Sequence, residues 1–306
     1  MVRRAAACVV LLVAFAACSG GTAANDAFGD DAAVEAEDVA PEGTDDADEA
    51  ADTDTGDVVD TPPDGTSDAE PEASEDDAGE AAEPLRVLFI GNSYTYQNDL
   101  PGRVELVAAS DPVGPAIDAE SIAIGGARLM DHLATASTVA AIHDGGWDFV
   151  VLQGQSVEPV VDPAGFAYGA TGLAAEIAAT PAESLFFETW ARRAGDAVYA
   201  ESWSGGTPAA MQAGLRDGYQ SAADAAGGRM VPVGDAWERT LADHPAIVLF
   251  DADGSHPSEA GTYLAACVFY AVLTGRPLTA IGGAPAGLSE PDAAALRAAA
   301  EGAVFP

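Results

Sequence analysis

Leu85-Arg86-Val87-Leu88-Phe89-Ile90-Gly91-Asn92-Ser93-Tyr94-Thr95 decides how the rest of the chain reads. From Arg86 to Ile90 the run is apolar without alternation, short and branched, and it ends at Gly91. That is the signature of a strand buried on both faces, as in a parallel sheet. The next four residues place a serine in a tight, glycine-led turn, where a hydroxyl stands out and helix N–H groups lie close by.

Four further runs repeat the pattern: Ser121–Ile124, Asp148–Leu152, Leu185–Glu188 and the short Met230–Val233, whose Pro232 suits a strand end or an edge. Between them lie helical stretches. Leu129 to Ile142 puts Leu129, Leu133, Ala136 and Ala140 on one stripe. Pro163 to Ala179 and Pro208 to Ala226 are alanine-rich. Pro257 to Thr274 starts with a proline at a first helical position and puts Ala260, Leu264, Cys267 and Ala271 on one face. Strands alternating with helices predict an α/β fold, a mostly parallel sheet of about five strands covered on both sides. Ligands of such folds bind beyond the C-terminal strand ends.

The chemistry-bearing residues fall there. Gly91-Asn92-Ser93 follows the first run, Gly125-Gly126 the second, and Gln153-Gly154-Gln155-Ser156 the third. Asp253-Gly254-Ser255-His256-Pro257 precedes the last long helix. A serine hydroxyl needs a base, and imidazole is the usual one near neutrality. The imidazole needs an acceptor on its second nitrogen, which Asp253 can provide to His256. A developing oxyanion needs preorganised donors, and the N–H groups of Ser93 and of Gly125 or Gly126, with an amide from Gln153 or Gln155, are candidates. This is the parts list for acyl transfer by Ser93, His256 and Asp253, and no cofactor is expected.

These blocks resemble those of the SGNH/GDSL hydrolase superfamily, in its bacterial branch with Gly-Asn-Ser in block one. Val87 to Thr95 looks like block one with its nucleophile, Gly125-Gly126 like the block-two glycine, and Asp253-Gly254-Ser255-His256-Pro257 like block five. The resemblance spans about residues 86–275. It implies a flavodoxin-like three-layer α/β/α sandwich, no metal, and hydrolysis of carboxylic esters, with O-acetyl groups on glycans a frequent target of secreted members. Block three departs from the pattern: Leu152-Gln153-Gly154-Gln155-Ser156 stands where the family has Gly-x-Asn-Asp. A glutamine offers an equivalent N–H, as in the Gln-Gly-Glu segment of the sialate O-acetylesterase-like branch, and Gln153 is preferred for lying nearer the strand end.

The N-terminus sets an expected compartment. Arg3 and Arg4 precede a 13-residue apolar run, Ala5 to Ala17, too short to span a bilayer. Cys18-Ser19-Gly20-Gly21 follows, so residues 1–17 resemble a lipoprotein signal with Cys18 as the lipidated mature N-terminus, although Phe15 stands where that pattern has Leu. Residues 18–84 read as a disordered acidic linker, since Ser19 to Pro84 holds no Leu, Ile, Met, Trp or Tyr. Residues 85–306 form the expected hydrolase domain. Its 26 acids against 10 arginines, within a chain of formal charge −38, argue against nucleic-acid partners. The expected protein is a secreted or cell-envelope lipoprotein, held to a membrane through Cys18 and acting on an ester outside the cytoplasm. Its substrate would then be an acylated glycan or another ester.

Plainer roles are assigned elsewhere. Cys267, alone in the domain, reads as a buried inert thiol. His132, His143 and His244 each adjoin an aspartate without the Asp-x-x-His spacing and read as surface or helix-end residues. Trp190 and Trp237 read as core, Arg192-Arg193 as a solvated helix start, and Asp251 as a rival acceptor for His256. Two other functions compete: a non-catalytic envelope- or glycan-binding lipoprotein on a hydrolase scaffold, and an interaction protein working through its acidic spacer.

Overall fold

The computed structural model describes residues 83–306. The signal segment, Cys18 and all of the acidic linker but Glu83 and Pro84 lie outside the described residues. Five strands, β1 (Leu85–Gly91), β2 (Ile117–Ala123), β3 (Phe149–Leu152), β4 (Glu183–Phe187) and β5 (Arg229–Val231), form one all-parallel sheet in the order β2-β1-β3-β4-β5. The chain runs from β1 out to β2 and returns to β3 on the other side. The crevice above β1 and β3 is therefore the switch point at which open parallel sheets bind ligands. Register brings the strand ends level, with Ile90 beside both Ile122 and Leu152, and Leu152 beside Phe186.

The unbroken apolar runs are explained by the two cores. Val87, Phe89, Val151, Leu185 and Phe187 point to one face. Leu88, Ile90, Val150, Leu152 and Phe186 point to the other. Ten α-helices flank the sheet among the described residues: α1 (Ser93–Tyr96), α2 (Leu100–Ala109), α3 (Leu129–Leu133), α4 (Ala136–Asp144), α5 (Glu158–Val161), α6 (Pro163–Ile177), α7 (Pro208–Ala226), α8 (Val233–Asp243), α9 (Glu259–Thr274) and α10 (Glu290–Val304). Helices α2, α8, α9 and α10 supply the first core; α3, α4, α6 and α7 supply the second. The result is the three-layer α/β/α sandwich expected.

Several local expectations change. The stretch 129–142 is two helices broken at Ala134–Thr135. The break turns the second half, so Ala136 and Ala140 face solvent while α4 buries Thr138 and Ile142. Pro257 precedes α9 rather than opening it; Ser258 is the N-cap, its side chain accepting from the Gly261 N–H. Helix α9 has no single apolar face. Residues 260–273 are buried all round, because α2, α8 and α10 enclose it against the sheet. Phe269 stands edge-on to Phe89 and Phe187 at 5.0 and 4.9 Å. Cys267 is fully buried, and burial pushes its thiol up to about 12. Helices α2, α8 and α10 add to the four helical stretches marked in the sequence.

Glu188, just past β4, is wholly buried. Its oxygens accept from Gln212 Nε2 at 2.8 Å and from the Asp235 N–H at 3.2 Å. Burial, reinforced by the charge of Asp235, raises its carboxyl to about 8. The fold thus holds a proton that the unfolded chain releases near pH 4.5. Stability from this group is full below that pH and is lost as pH rises to about 8. Urea unfolding from pH 5 to 8 should show this decline, and Glu188→Gln should make it shallower.

Candidate active site

Block one is held by its neighbours more than by its own helix. At Gly91 a β-carbon would lie 2.5 Å from Gln153 Oε1 and from Thr95 Oγ1, so only glycine fits. Asn92 caps α1, its Oδ1 accepting from the Tyr94 N–H at 3.2 Å. Asn92 Nδ2 donates to the carbonyls of Ala127 (3.0 Å) and Gly154 (3.3 Å), joining the loops after β2 and β3. Asn92, not Ser93, thus does the capping, and the serine hydroxyl is left for other work.

That hydroxyl lies 2.8 Å from His256 Nε2, and His256 Nδ1 lies 2.5 Å from Asp253 Oδ2. Asp253 Oδ1 accepts from the N–H groups of Ser255 (2.8 Å) and His256 (3.0 Å). Burial opposes charge on Asp253, but the hydrogen bonds from the His256 ring and these two N–H groups outweigh it. The carboxyl is held below its ordinary value. The rival Asp251 turns away: its Oδ1 accepts from the Ala252 N–H, and its own N–H donates to the His256 carbonyl.

A stack of aromatic rings seats the histidine loop. Tyr94 lies flat on Trp190 at 4.6 Å, and Trp190 on Trp237 at 3.9 Å. The Tyr94 ring also meets His256 edge-on at 5.6 Å. Tyr94 Oη and Ser255 Oγ share a 2.8 Å hydrogen bond, and Trp190 Nε1 donates to the Ser255 carbonyl at 3.0 Å. Both tryptophans are core residues, as expected, and the structure adds Tyr94 and Trp190 as supports of the site. Their signal in the sequence is position alone: one directly after Ser93, the other three residues past β4.

The N–H groups of Ser93, Gly125 and Gly126 have no acceptor among the described residues. Gly126 has a left-handed backbone (φ 68°) and Gly125 passes close to Tyr96 Oη, so both positions suit glycine. The hydrogen bonds set Gln153 apart from Gln155. Gln153 Oε1 accepts from the Asn92 N–H and from Thr95 Oγ1, both at 2.9 Å, which fixes the amide's orientation. Its Nε2 is then committed to Asn92 Oδ1 at 3.0 Å and to the Gly154 carbonyl. Gln155 differs: Oε1 accepts from the Val157 N–H at 3.2 Å, and Nε2 has no partner among the described residues. Glu158 holds the backbone of Gln155, accepting its N–H at 3.1 Å. Burial raises that carboxyl to about 7.

One other expectation holds in part and one is overturned. His132 lies in the last turn of α3, a helix end as expected, but it is buried. Its Nε2 donates to the Gly91 carbonyl at 2.8 Å, and burial lowers its affinity for a proton, so it is a neutral structural ring behind block one. Arg192 and Arg193 do not start a helix. Arg193 clasps the histidine loop, its N–H donating to the Gly254 carbonyl at 2.9 Å and its Nη2 to that of Ala252 at 3.1 Å. Arg192 Nη2 donates to Ser156 Oγ at 3.0 Å. Among the described residues, no group of three or more His, Cys, Asp or Glu could hold a metal ion.

No family model matches the chain, and no curated protein matches it. Among solved structures, a protein of Slackia heliotrinireducens provisionally described as an SGNH hydrolase is 32% identical. It aligns over 61% of this chain and 98% of its own, with a TM-score of 0.54. The chain belongs to the SGNH hydrolases. A DUF4886 family protein from Bacteroides uniformis shares the fold, at 20% identity and a TM-score of 0.63, over 73% of this chain and 95% of its own. In this SGNH hydrolase, Gln153→Ala should strand the Asn92 N–H and lower stability by about 1–3 kcal/mol, the cost of an unsatisfied buried donor. Gln155→Ala should change urea stability far less.

Proposed function

We propose that the chain is an extracytoplasmic serine esterase that hydrolyses carboxylic esters through Ser93, His256 and Asp253, with O-acyl groups on carbohydrate as the favoured class. The observation that carries this reading is the continuous line from Ser93 Oγ through the His256 ring to Asp253 Oδ2, at 2.8 and 2.5 Å. In this mechanism Ser93 Oγ attacks the acyl carbonyl while His256 Nε2 takes its proton. Asp253 holds Nδ1–H and steadies the imidazolium. The oxyanion is received by the N–H groups of Ser93 and of Gly125 or Gly126, and by Gln155 Nε2 in place of Gln153. Each such donor is typically worth about 2.7–4 kcal/mol. His256 returns the proton to the leaving alcohol. Water, deprotonated by His256, then attacks the acyl carbon; the bond to Ser93 Oγ breaks, the acid leaves, and His256 returns the proton to Oγ.

The compartment rests on the sequence: the basic start at Arg3-Arg4, the short apolar run and Cys18-Ser19-Gly20-Gly21 support export and a lipid anchor at Cys18. The acidic linker would then hold the domain off the membrane. Assembly of all three catalytic side chains disfavours the purely binding alternative.

Hydrolysis of p-nitrophenyl acetate, butyrate and octanoate by the full chain tests the reading. The expected result is activity highest on the short esters, reduced at least about 10³-fold in Ser93→Ala without loss of the folded circular dichroism signal. Full activity in that variant would overturn the assignment of the nucleophile.

A further inference from the structure

The loop after β4 is bonded to the segments that carry Gln155 and His256, and it is fixed on both sides of Arg192. Before it, Trp190 carries the Ser255 carbonyl and Thr189 Oγ1 donates to the Ser156 carbonyl at 3.1 Å. After it, Arg193 clasps Gly254, two residues from His256. Between these anchors the Arg192 guanidinium reaches the buried hydroxyl of Ser156, the neighbour of Gln155. Tyr199 Oη donates to the Arg192 carbonyl and fixes the backbone there. The cation is thus held between the loop carrying His256 and the loop carrying the block-three amide.

Among the described residues it has no carboxylate partner, unlike most arginines of the domain. Seven of the ten arginines from residue 85 on (Arg86, Arg103, Arg128, Arg216, Arg229, Arg276 and Arg297) pair with carboxylates. Acids outnumber arginines by 26 to 10 over the same residues. Among the described residues the Arg192 side chain nevertheless meets only the neutral Ser156 hydroxyl, which leaves most of its five N–H donors unused there. A half-buried guanidinium in a fixed position is suited to grip a carboxylate through two parallel hydrogen bonds. In a protein whose overall field repels anions, a local cation is what lets an acidic substrate bind.

We infer that Arg192 is a specificity-determining residue that binds a carboxylate on the substrate. This rests on the esterase reading above. With a short uncharged acyl group on Ser93, the carboxylate belongs to the alcohol moiety, so the substrate class is an O-acylated sugar acid. Arg192 takes no part in bond making, and its contribution lies in the preference for charged over neutral esters.

The test compares kcat/KM of the full chain for a mono-O-acetylated methyl glucuronoside, with its carboxylate free, and for the matching mono-O-acetylated methyl glucoside. The same pair is measured with Arg192→Ala and Arg192→Lys, and p-nitrophenyl acetate is run alongside. The wild type should favour the glucuronoside by about tenfold or more, as for one charge-assisted hydrogen-bonded contact. Arg192→Ala should abolish the preference and Arg192→Lys should retain part of it. The ratio of the two sugar esters is the readout, so a general loss of activity cancels. A wild type that cleaves p-nitrophenyl acetate but treats both sugars alike overturns the subsite alone, as does a preference that survives in Arg192→Ala. A wild type inactive on all three esters overturns the esterase reading and the subsite with it.

Discussion

The hydrogen bond from the Asn92 N–H to Gln153 Oε1 ties the turn after β1 to the end of β3, across the point where the sheet reverses its winding. Around it the same two side chains lace three loops together: Asn92 reaches Ala127 and Gly154, and Gln153 reaches Thr95. Every partner is buried, so the network is satisfied internally and leaves its members one arrangement. Ser93 sits at its centre without joining it. Ser93 is positioned by its neighbours, while its hydroxyl is left to meet His256 and its N–H has no acceptor among the described residues.

His256 is held by a different device. The loop from Asp251 to Pro257 closes on itself through the Asp253 carboxylate, and is then seated on the Tyr94–Trp190–Trp237 stack and clasped by Arg193. Two rigid supports, a polar network under the serine and an aromatic stack under the histidine, meet at Tyr94. Its backbone N–H belongs to the first and its ring to the second. Supports of this kind fix the distance between Ser93 Oγ and His256 Nε2, as the proposed reaction requires.

Much of this was legible in the sequence. Runs such as Val87–Ile90 and Phe149–Leu152 carry no alternation because both faces of the strand are buried, and that alone marks a parallel sheet. Ser93, Asp253 and His256 stood out because their chemistry has few other uses at strand ends. What the pattern hid depended on contacts distant in sequence. Gln153 and Gln155 have identical side chains, and only the partners of Asn92 commit one of them. His132 lies on α3, whose face is set by the break at Ala134–Thr135, and an alanine-rich stretch gives little sign of such a break. Helix α9 looked amphipathic by spacing, yet three neighbouring helices cover its remaining faces. Helix α8 does carry a stripe, Val233, Ala236, Trp237 and Thr240, but it begins directly after the short β5, where the apolar run masks the change of period.

The central claim is that Ser93 is activated by His256. A fluorophosphonate tests it directly, because it bonds only to a serine made nucleophilic by its base. Intact-mass and peptide mass spectrometry should find one adduct, on the peptide containing Ser93, and that adduct should be absent after the same exposure of His256→Ala. Labelling at another residue, or equal labelling of Ser93 in His256→Ala, would contradict the account.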